Sequence, residues 1–367
     1  MASYTHEPAT EAAALHYQDK ILPLVSRTFA LTIPQLPQSL RNVVANAYLL
    51  CRVADTIEDD ALLTPQQKQH YGKHLTAVIS GEEPADPLSC ELVPKLSPLT
   101  SVAEKDLLAQ LPLIIYLTHS FNENQRLSIE RCVNVMCYGM GRFQQQVSVD
   151  GLAEIGDMNS YCYYVAGVVG ELLTDLFCDY SDEIENLRQP MHTLAASFGQ
   201  GLQMTNILKD QWDDRKHGVC WLPRDVFARR GLSLSELSPG DFTPAYADAL
   251  NELIGFAHGH LRNALSYTLL IPKHETGIRS FCYWAISLAI LTLKNIRNKP
   301  GFVDAAEVKV PRSKVAKAIL LSNLSVRSNA LLAKLFDITA AELPIISPLL
   351  DQKGDTPGKN SFFLPGA

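Results

Sequence analysis

Two runs of this chain space oxygen-bearing side chains for holding a divalent cation. In YLLCRVADTIEDD, Tyr48, Arg52, Asp55 and Asp59 follow one another at steps of four, three and four, which sets all four on one helical face. In QMTNILKDQWDD, Gln203, Asn206, Asp210 and Asp214 stand at steps of three, four and four. Alone, a D-x-x-x-D pair reads as a solvated helix end. Two such pairs about 150 residues apart are expected to face each other across a bundle cavity, with Asn206 adding a neutral oxygen. Magnesium suits that donor set, because it binds through one or two carboxylates and leaves water and phosphate to complete its octahedron. Asp59 and Asp60 lie near the expected C-terminal end of their helix, where the macrodipole disfavours each by about 0.3–1 kcal/mol. A bound cation would offset that cost.

A di-iron carboxylate site is the competing chemistry. It needs Glu-x-x-His pairs, and the sequence contains none. His258 and His260 are spaced by two, which points their rings apart on a helix, so the pair reads as a solvated or capping feature.

The elements that must position these residues are helical. Apolar residues recur at spacings of three and four, and strand-like alternation is hard to find. Helices are predicted at about 10–24, 37–60, 65–80, 103–117, 125–149, 157–180, 184–214, 244–269, 275–296 and 312–336. Turn chemistry separates them at Pro34–Pro37, in the Pro-rich 84–98 segment, at Pro239-Gly240 and at 298–301. In YCYYVAGVVG, Tyr161, Tyr164 and Val168 are predicted to share a face, and Gly167 and Gly170 leave room for a neighbouring helix or a ligand. Tyrosine faces stabilise a nearby cation by about 0.5–2 kcal/mol, and a phenol can relay a proton. The bland reading of this segment is a tight packing seam with core tyrosines. One all-α domain over 1–350 is expected, followed by a loose tail over 351–367.

Bulk properties fit an ordinary globular chain. Of 367 residues, 47% are hydrophobic, which supplies a large core, and the net charge of -7 excludes the basic footprint of a nucleic-acid binder. Eight scattered cysteines without a C-x-x-C pair fit buried thiols in a reducing compartment. The N-terminus has neither a basic nor an apolar leader region, and the apolar stretch from Phe281 to Leu293 is too short for a bilayer span. A cytoplasmic location is expected.

With the motifs SRTFA (Ser26–Ala30), YLLCRVADTIEDD (Tyr48–Asp60), YCYYVAGVVGELL (Tyr161–Leu173) and TNILKDQWDD (Thr205–Asp214), and a WLP run at Trp221–Pro223, the chain resembles squalene and phytoene synthases over roughly 20–320. These are the head-to-head trans-prenyltransferases. The resemblance implies a helical isoprenoid-synthase bundle with a central cavity for two farnesyl diphosphates. Asp55 and Asp59 would hold magnesium on one diphosphate, and Asp210 and Asp214 would do so from the opposite wall. Ser26, Arg27 and Phe29 fall where the family contacts the diphosphate and first isoprene unit, and Arg52 would pair with phosphate oxygens. Tyr48, Tyr164, Gln203 and Asn206 complete the expected substrate contacts. Tyr161 matches the tyrosine beside the first carbocation and is the candidate for the proton step.

Within the family, squalene synthases finish with a hydride from NADPH, whereas phytoene and dehydrosqualene synthases finish by losing a proton. Lys309, Arg312 and Lys314 resemble the basic flap over the nicotinamide cofactor, with Pro311 shifting its register by one. Pro311 and the basic residues also read simply as a helix start. The helix around Cys282 resembles the squalene branch as well, so a squalene synthase using magnesium and NADPH is the expectation. The alternatives are a dehydrosqualene or phytoene synthase and a non-catalytic assembly protein of the same fold. No counterpart of the eukaryotic C-terminal anchor is seen, so the resemblance implies a bacterial-type soluble enzyme. An oily product implies loose association with the inner membrane face.

Overall fold

A computed structural model describes residues 10–26, 28–145 and 148–348. The all-α expectation holds: among these residues there is no strand, only an isolated bridge between Leu152 and Pro223. In chain order the helices are α1 (Glu11–Val25), α2 (Phe29–Thr32), α3 (Gln38–Asp59), α4 (Pro65–Ser80), α5 (Ala85–Leu92), α6 (Val102–Ala109), α7 (Leu111–Ser120), α8 (Glu123–Gln144) and α9 (Ile155–Cys162). They continue as α10 (Val168–Tyr180), α11 (Asp182–Glu185), α12 (Arg188–Lys216), α13 (Arg224–Ala228), α14 (Pro244–Leu270), α15 (Thr276–Asn298), α16 (Arg312–Ser325) and α17 (Asn329–Ala340). The chain partitions into two compact units, Met1–Gly141 with Asp175–Asn186, and Arg142–Thr174 with Leu187–Ala367. The domain expected over 1–350 requires one cooperative unfolding transition. Its tail, 351–367, lies outside the described residues.

In the first unit α3 is the core element. Leu40, Val43, Leu49, Leu50, Val53 and Ile57 are all buried. Asn46, also buried, is bonded at both ends of its amide: Nδ2 donates to the Ile114 carbonyl at 2.9 Å and Oδ1 accepts from Thr118 Oγ1 at 2.9 Å. A buried polar side chain satisfied in this way fixes the register of α3 on α7. The 84–98 segment, predicted as a break, contains α5. Pro84 is its N-cap and Pro87 falls in its first turn, where the missing N–H has no partner to lose. The helix predicted over 103–117 is two helices, because Pro112 opens α7 and cannot continue α6.

In the second unit α12 packs along α14 and α15. Between α9 and α10, Tyr163–Gly167 form a π-helical turn, so the register predicted for Tyr161, Tyr164 and Val168 does not run straight through. A Cβ on Gly170 would lie 2.0 Å from the Ala195 carbonyl oxygen, and one on Gly199 1.9 Å from that of Ala166. The room left by Gly170 is therefore taken by the backbone of α12, not by a ligand. The helix predicted over 312–336 breaks between α16 and α17. Arg279, fully buried, donates to the carbonyls of Val326 (2.7 Å) and Ile271 (2.6 Å) and to Asn329 Oδ1 (2.7 Å). The Val326 carbonyl is thus spent on a side chain, and Ser328 caps α17. Helix α15 is long and apolar enough to cross a membrane, yet 67% of its most apolar window is buried within the protein. It serves as a core helix.

Candidate active site

The first unit brings five of the expected residues together. Ser26 lies just past α1, where its Oγ accepts from the Phe29 amide at 3.1 Å. The Phe29 ring sits 5.0 Å from that of Tyr48, whose hydroxyl donates to the Val25 carbonyl at 3.3 Å. One turn on, Arg52 pairs with Asp55 at 3.7 Å and, more closely, with Glu104 at the start of α6. The guanidinium expected to meet phosphate oxygens therefore already has two carboxylate partners. Glu104 carried no spacing signal in the sequence, because only the packing of α6 on α3 brings it there. Arg27 lies outside the described residues.

Around Asp55, the carboxylates Asp59 and Glu104 outnumber the one guanidinium, that of Arg52. Burial among protein atoms, in spite of a side chain still 33% exposed, pushes the Asp55 carboxyl upward. Asp59 and Glu104 add to that rise and Arg52 opposes it. Asp59, at the last helical position, is exposed.

The end of α3 is compensated by the protein more fully than expected. Lys68 Nζ bonds to the Glu58 carbonyl, placing a cation at the negative pole of the helix. The Asp60 carboxylate accepts from the amides of Leu62 (2.9 Å), Leu63 (3.3 Å) and Ser97 (2.7 Å) and from the Thr100 hydroxyl (2.7 Å). These bonds hold its carboxyl below the usual range although burial pulls the other way. Asp60 is a structural acid, and its charge needs no bound ion.

The second unit carries the other stripe on about the last four turns of α12. Gln203, Asp210 and Asp214 are half-buried and Asn206 is exposed. Burial raises the Asp210 carboxyl, Lys209 opposes the shift and Asp213 adds to it. Lys209 also belongs to this stripe: it stands three residues after Asn206 and next to Asp210. Its ammonium lies 3.2 Å from Asn206 Oδ1 and 3.1 Å from Asp210 Oδ2. The donor set fits magnesium: hard carboxylate oxygens in i, i+4 pairs, open to solvent on one side (Asp210 36% exposed).

Tyr161 is buried and lies flat against Trp221, with ring centroids 3.8 Å apart and planes 8° from parallel. The Phe143 edge closes in at 5.4 Å from Tyr161 and at 6.2 Å from the fully buried Tyr164. Trp221 is held in place by backbone pairing: Cys220 N bonds to the Ser148 carbonyl (3.1 Å), Leu152 N to that of Leu222 (2.9 Å) and Arg224 N to that of Leu152 (2.8 Å). At Gly151 the two segments come so close that a Cβ would sit 2.3 Å from the Leu222 oxygen. The WLP run thus acts by presenting an indole to Tyr161.

His258 and His260 are both buried, which corrects the solvated reading. His258 Nδ1 meets the Pro344 carbonyl at 2.8 Å and His260 Nδ1 meets Ser197 Oγ at 2.7 Å. The rings serve different neighbours on opposite sides of α14. Lys309, Arg312 and Lys314 are exposed around the start of α16, and among the described residues no ion pair involves them.

An all-helical chain carrying two i, i+4 aspartate pairs, each half-open to solvent, defines a class of helical proteins equipped to hold hard cations. Comparison makes the class specific: the family described as "Squalene/phytoene synthase" matches residues 22–314, and the chain belongs to it. It is 30% identical over 317 residues to "Squalene synthase ERG9" of Candida albicans, covering 83% of this chain and 66% of that protein. The Saccharomyces cerevisiae protein of the same name is 27% identical over 326 residues, with coverage of 86% and 69%. The chain thus spans slightly less than two thirds of the length of its Candida relative. Among solved structures, "TcSQS with ligand, E5700" superposes with a TM-score of 0.71 at 21% identity, covering 89% of this chain and 91% of that one. A dehydrosqualene synthase in complex with ligand gives 0.63 at 19% identity, covering 87% and 97%. The fold is that of these synthases.

Proposed function

We propose that the protein is a squalene synthase, joining two farnesyl diphosphates head to head through a cyclopropyl diphosphate and reducing the product with NADPH. The observation that carries this reading is the pair of matched aspartate stripes, Asp55/Asp59 and Asp210/Asp214, each partly open to solvent on its own helix. Asp55, Asp59, Asp210 and Asp214 would hold magnesium, with Asn206 as a neutral ligand. Magnesium, when bound, neutralises the leaving diphosphate and the charge that develops as the carbon–oxygen bond breaks.

The chain's own residues supply the rest. Arg52 and Lys209 each sit beside a stripe and would bind diphosphate oxygens, with Arg52 giving up part of its pairing to Glu104. Ser26, Phe29 and Tyr48 would receive the first isoprene unit, and Gln203 would contact the diphosphate. Trp221 and Phe143 fix the Tyr161 ring, so that its phenol can relay the proton lost as the cyclopropane closes to an oxygen of the departing diphosphate, which is the final base. Those rings and Tyr164 also make this wall apolar, which keeps water from an allylic cation. Lys309, Arg312 and Lys314, exposed and without acidic partners among the described residues, would take the phosphates of the nicotinamide cofactor. Bound NADPH would supply the hydride. The working location is the cytoplasm, loosely against the inner membrane face.

A dehydrosqualene or phytoene synthase is the second reading, and NADPH separates it. Purified protein is incubated with farnesyl diphosphate and magnesium, with and without NADPH, and products are identified by gas chromatography–mass spectrometry. Squalene should appear only with the reductant. Asp55→Asn and Asp210→Asn should each cut diphosphate release by about a thousandfold, in line with loss of charge stabilisation at a transition state. The same product with or without NADPH refutes the squalene assignment, and no diphosphate release at all leaves a non-catalytic binding protein.

A further inference from the structure

Helix α16 is apolar on two sides. Its inward stripe, Val315, Ile319, Ser322 and Val326, turns to the protein, where Ser322 and Val326 are buried and neighbouring Asn323 bonds to the Trp284 indole at 3.2 Å. Its outward stripe is Lys317, Leu320, Leu321 and Leu324, at steps of three, one and three along one helical face. The three leucines are 59%, 36% and 73% exposed. Charge is as uneven as hydrophobicity. From Lys309 to Arg327 there are five cations and no acid, in a chain whose net charge is -7. Lys317 and Arg327 bracket the leucines, and both are exposed.

We infer that the outward face of α16 docks on an anionic lipid bilayer, with Leu320, Leu321 and Leu324 in the headgroup–acyl boundary and Lys317 and Arg327 on lipid phosphates. A helix lying in the interface needs an apolar stripe with basic residues beside it, and long basic side chains keep their charge at the headgroups while their stems lie on apolar surface. The charge contrast selects the partner. A second copy apposed through this same face would cover the leucines but crowd Lys317 and Arg327 against their own like charges, and an acidic protein would answer the cations alone. An anionic bilayer matches both. This deepens the peripheral-membrane part of the reading above, and its test is independent of turnover.

The full chain is sedimented with vesicles of phosphatidylcholine alone and of phosphatidylcholine with 30% phosphatidylglycerol, at about 0.1 M and 0.5 M salt. Binding is expected on the anionic vesicles only and should weaken at high salt. Leu320→Ser/Leu324→Ser should lower partitioning about tenfold or more, and Lys317→Ala and Arg327→Ala about fivefold each. All these variants should keep the wild-type melting temperature, because each side chain is exposed. If the leucine pair fails to fold, the two single cation variants decide. Equal binding to both vesicle types, or none, overturns the inference. So does a lipid-free dimer that Leu320→Ser/Leu324→Ser dissolves, or failure of the full chain to bind where a chain ending at 348 binds, which would assign the face to residues 349–367.

Discussion

Alanine at Gly170 tests how closely α10 and α12 approach. A methyl carbon there would lie 2.0 Å from the Ala195 carbonyl oxygen, about 1.5 Å short of a comfortable non-bonded contact near 3.5 Å. The obstacle is backbone, so two helices must separate instead of one side chain rotating. Overpacking of this kind costs about 1–3 kcal/mol, sometimes more, and the upper end is expected where no rotamer gives relief. Against it stands the helix propensity gain of alanine over glycine, about 1 kcal/mol. The net expectation is about 2 kcal/mol of destabilisation for Gly170→Ala, and the same for Gly199→Ala, whose Cβ would meet the Ala166 oxygen at 1.9 Å. Because one separation relieves both clashes, the double variant should cost less than the sum. Gly141 is the internal control: it is helical, and a Cβ there meets nothing within 4 Å. Gly141→Ala should therefore stabilise by up to about 1 kcal/mol. Urea unfolding followed by circular dichroism reads all four variants. Were Gly170→Ala to behave like Gly141→Ala, the close approach of these helices would be wrong.

Three further outcomes follow from buried groups. Burial lowers His260 from 6.5 to about 4, so the folded chain holds this ring neutral while the unfolded chain protonates it. Its contribution is complete above about pH 6.5 and is lost as pH falls towards 4, a span worth about 3 kcal/mol at 1.36 kcal/mol per pH unit. His260→Gln should flatten that part of the stability–pH curve, and an unchanged slope would speak against it. Asp60→Asn should cost about 2–3 kcal/mol by weakening charge-assisted bonds to Leu62, Leu63, Ser97 and Thr100. Its depressed carboxyl places this contribution above the unfolded value near 4, so the gap to wild type should close in acid unfolding at lower pH; a gap that persists there counts against the assignment. Tyr161→Phe keeps the stack on Trp221 and removes only the phenol oxygen, so kcat should fall about a hundredfold with KM little changed. Full activity in that variant removes Tyr161 from the proton step.

The sequence made the periodic features legible and left the tertiary ones hidden. Tyr48, Arg52, Asp55 and Asp59 could be set on one face by counting, and α3 and α12 begin and end within a few residues of where the pattern placed them. Gly170 announced a close approach, though only coordinates identify the α12 backbone as the neighbour. Glu104 could not be foreseen at Arg52, since its place depends on how α6 packs. Asp60 looked like a second acidic liability beside Asp59 until the 97–100 turn was seen to hydrogen-bond it. Pro87 and Pro112 misled in opposite senses, one tolerated in a first turn and the other splitting a run, because proline position within a turn is set by caps. His258 and His260 looked solvated because two polar rings on an unassigned helix give no clue that both sides of it are covered.

Arg279 has a mechanical consequence. Its guanidinium ties the end of α14, at Ile271, to the junction of α16 and α17, at Val326 and Asn329. A tug on the leucine-bearing helix is therefore passed to the carbonyls of a central helix through one rigid planar group, and the α16–α17 hairpin has little freedom to swing as an independent arm. Whatever α16 touches, the long helices behind it will feel.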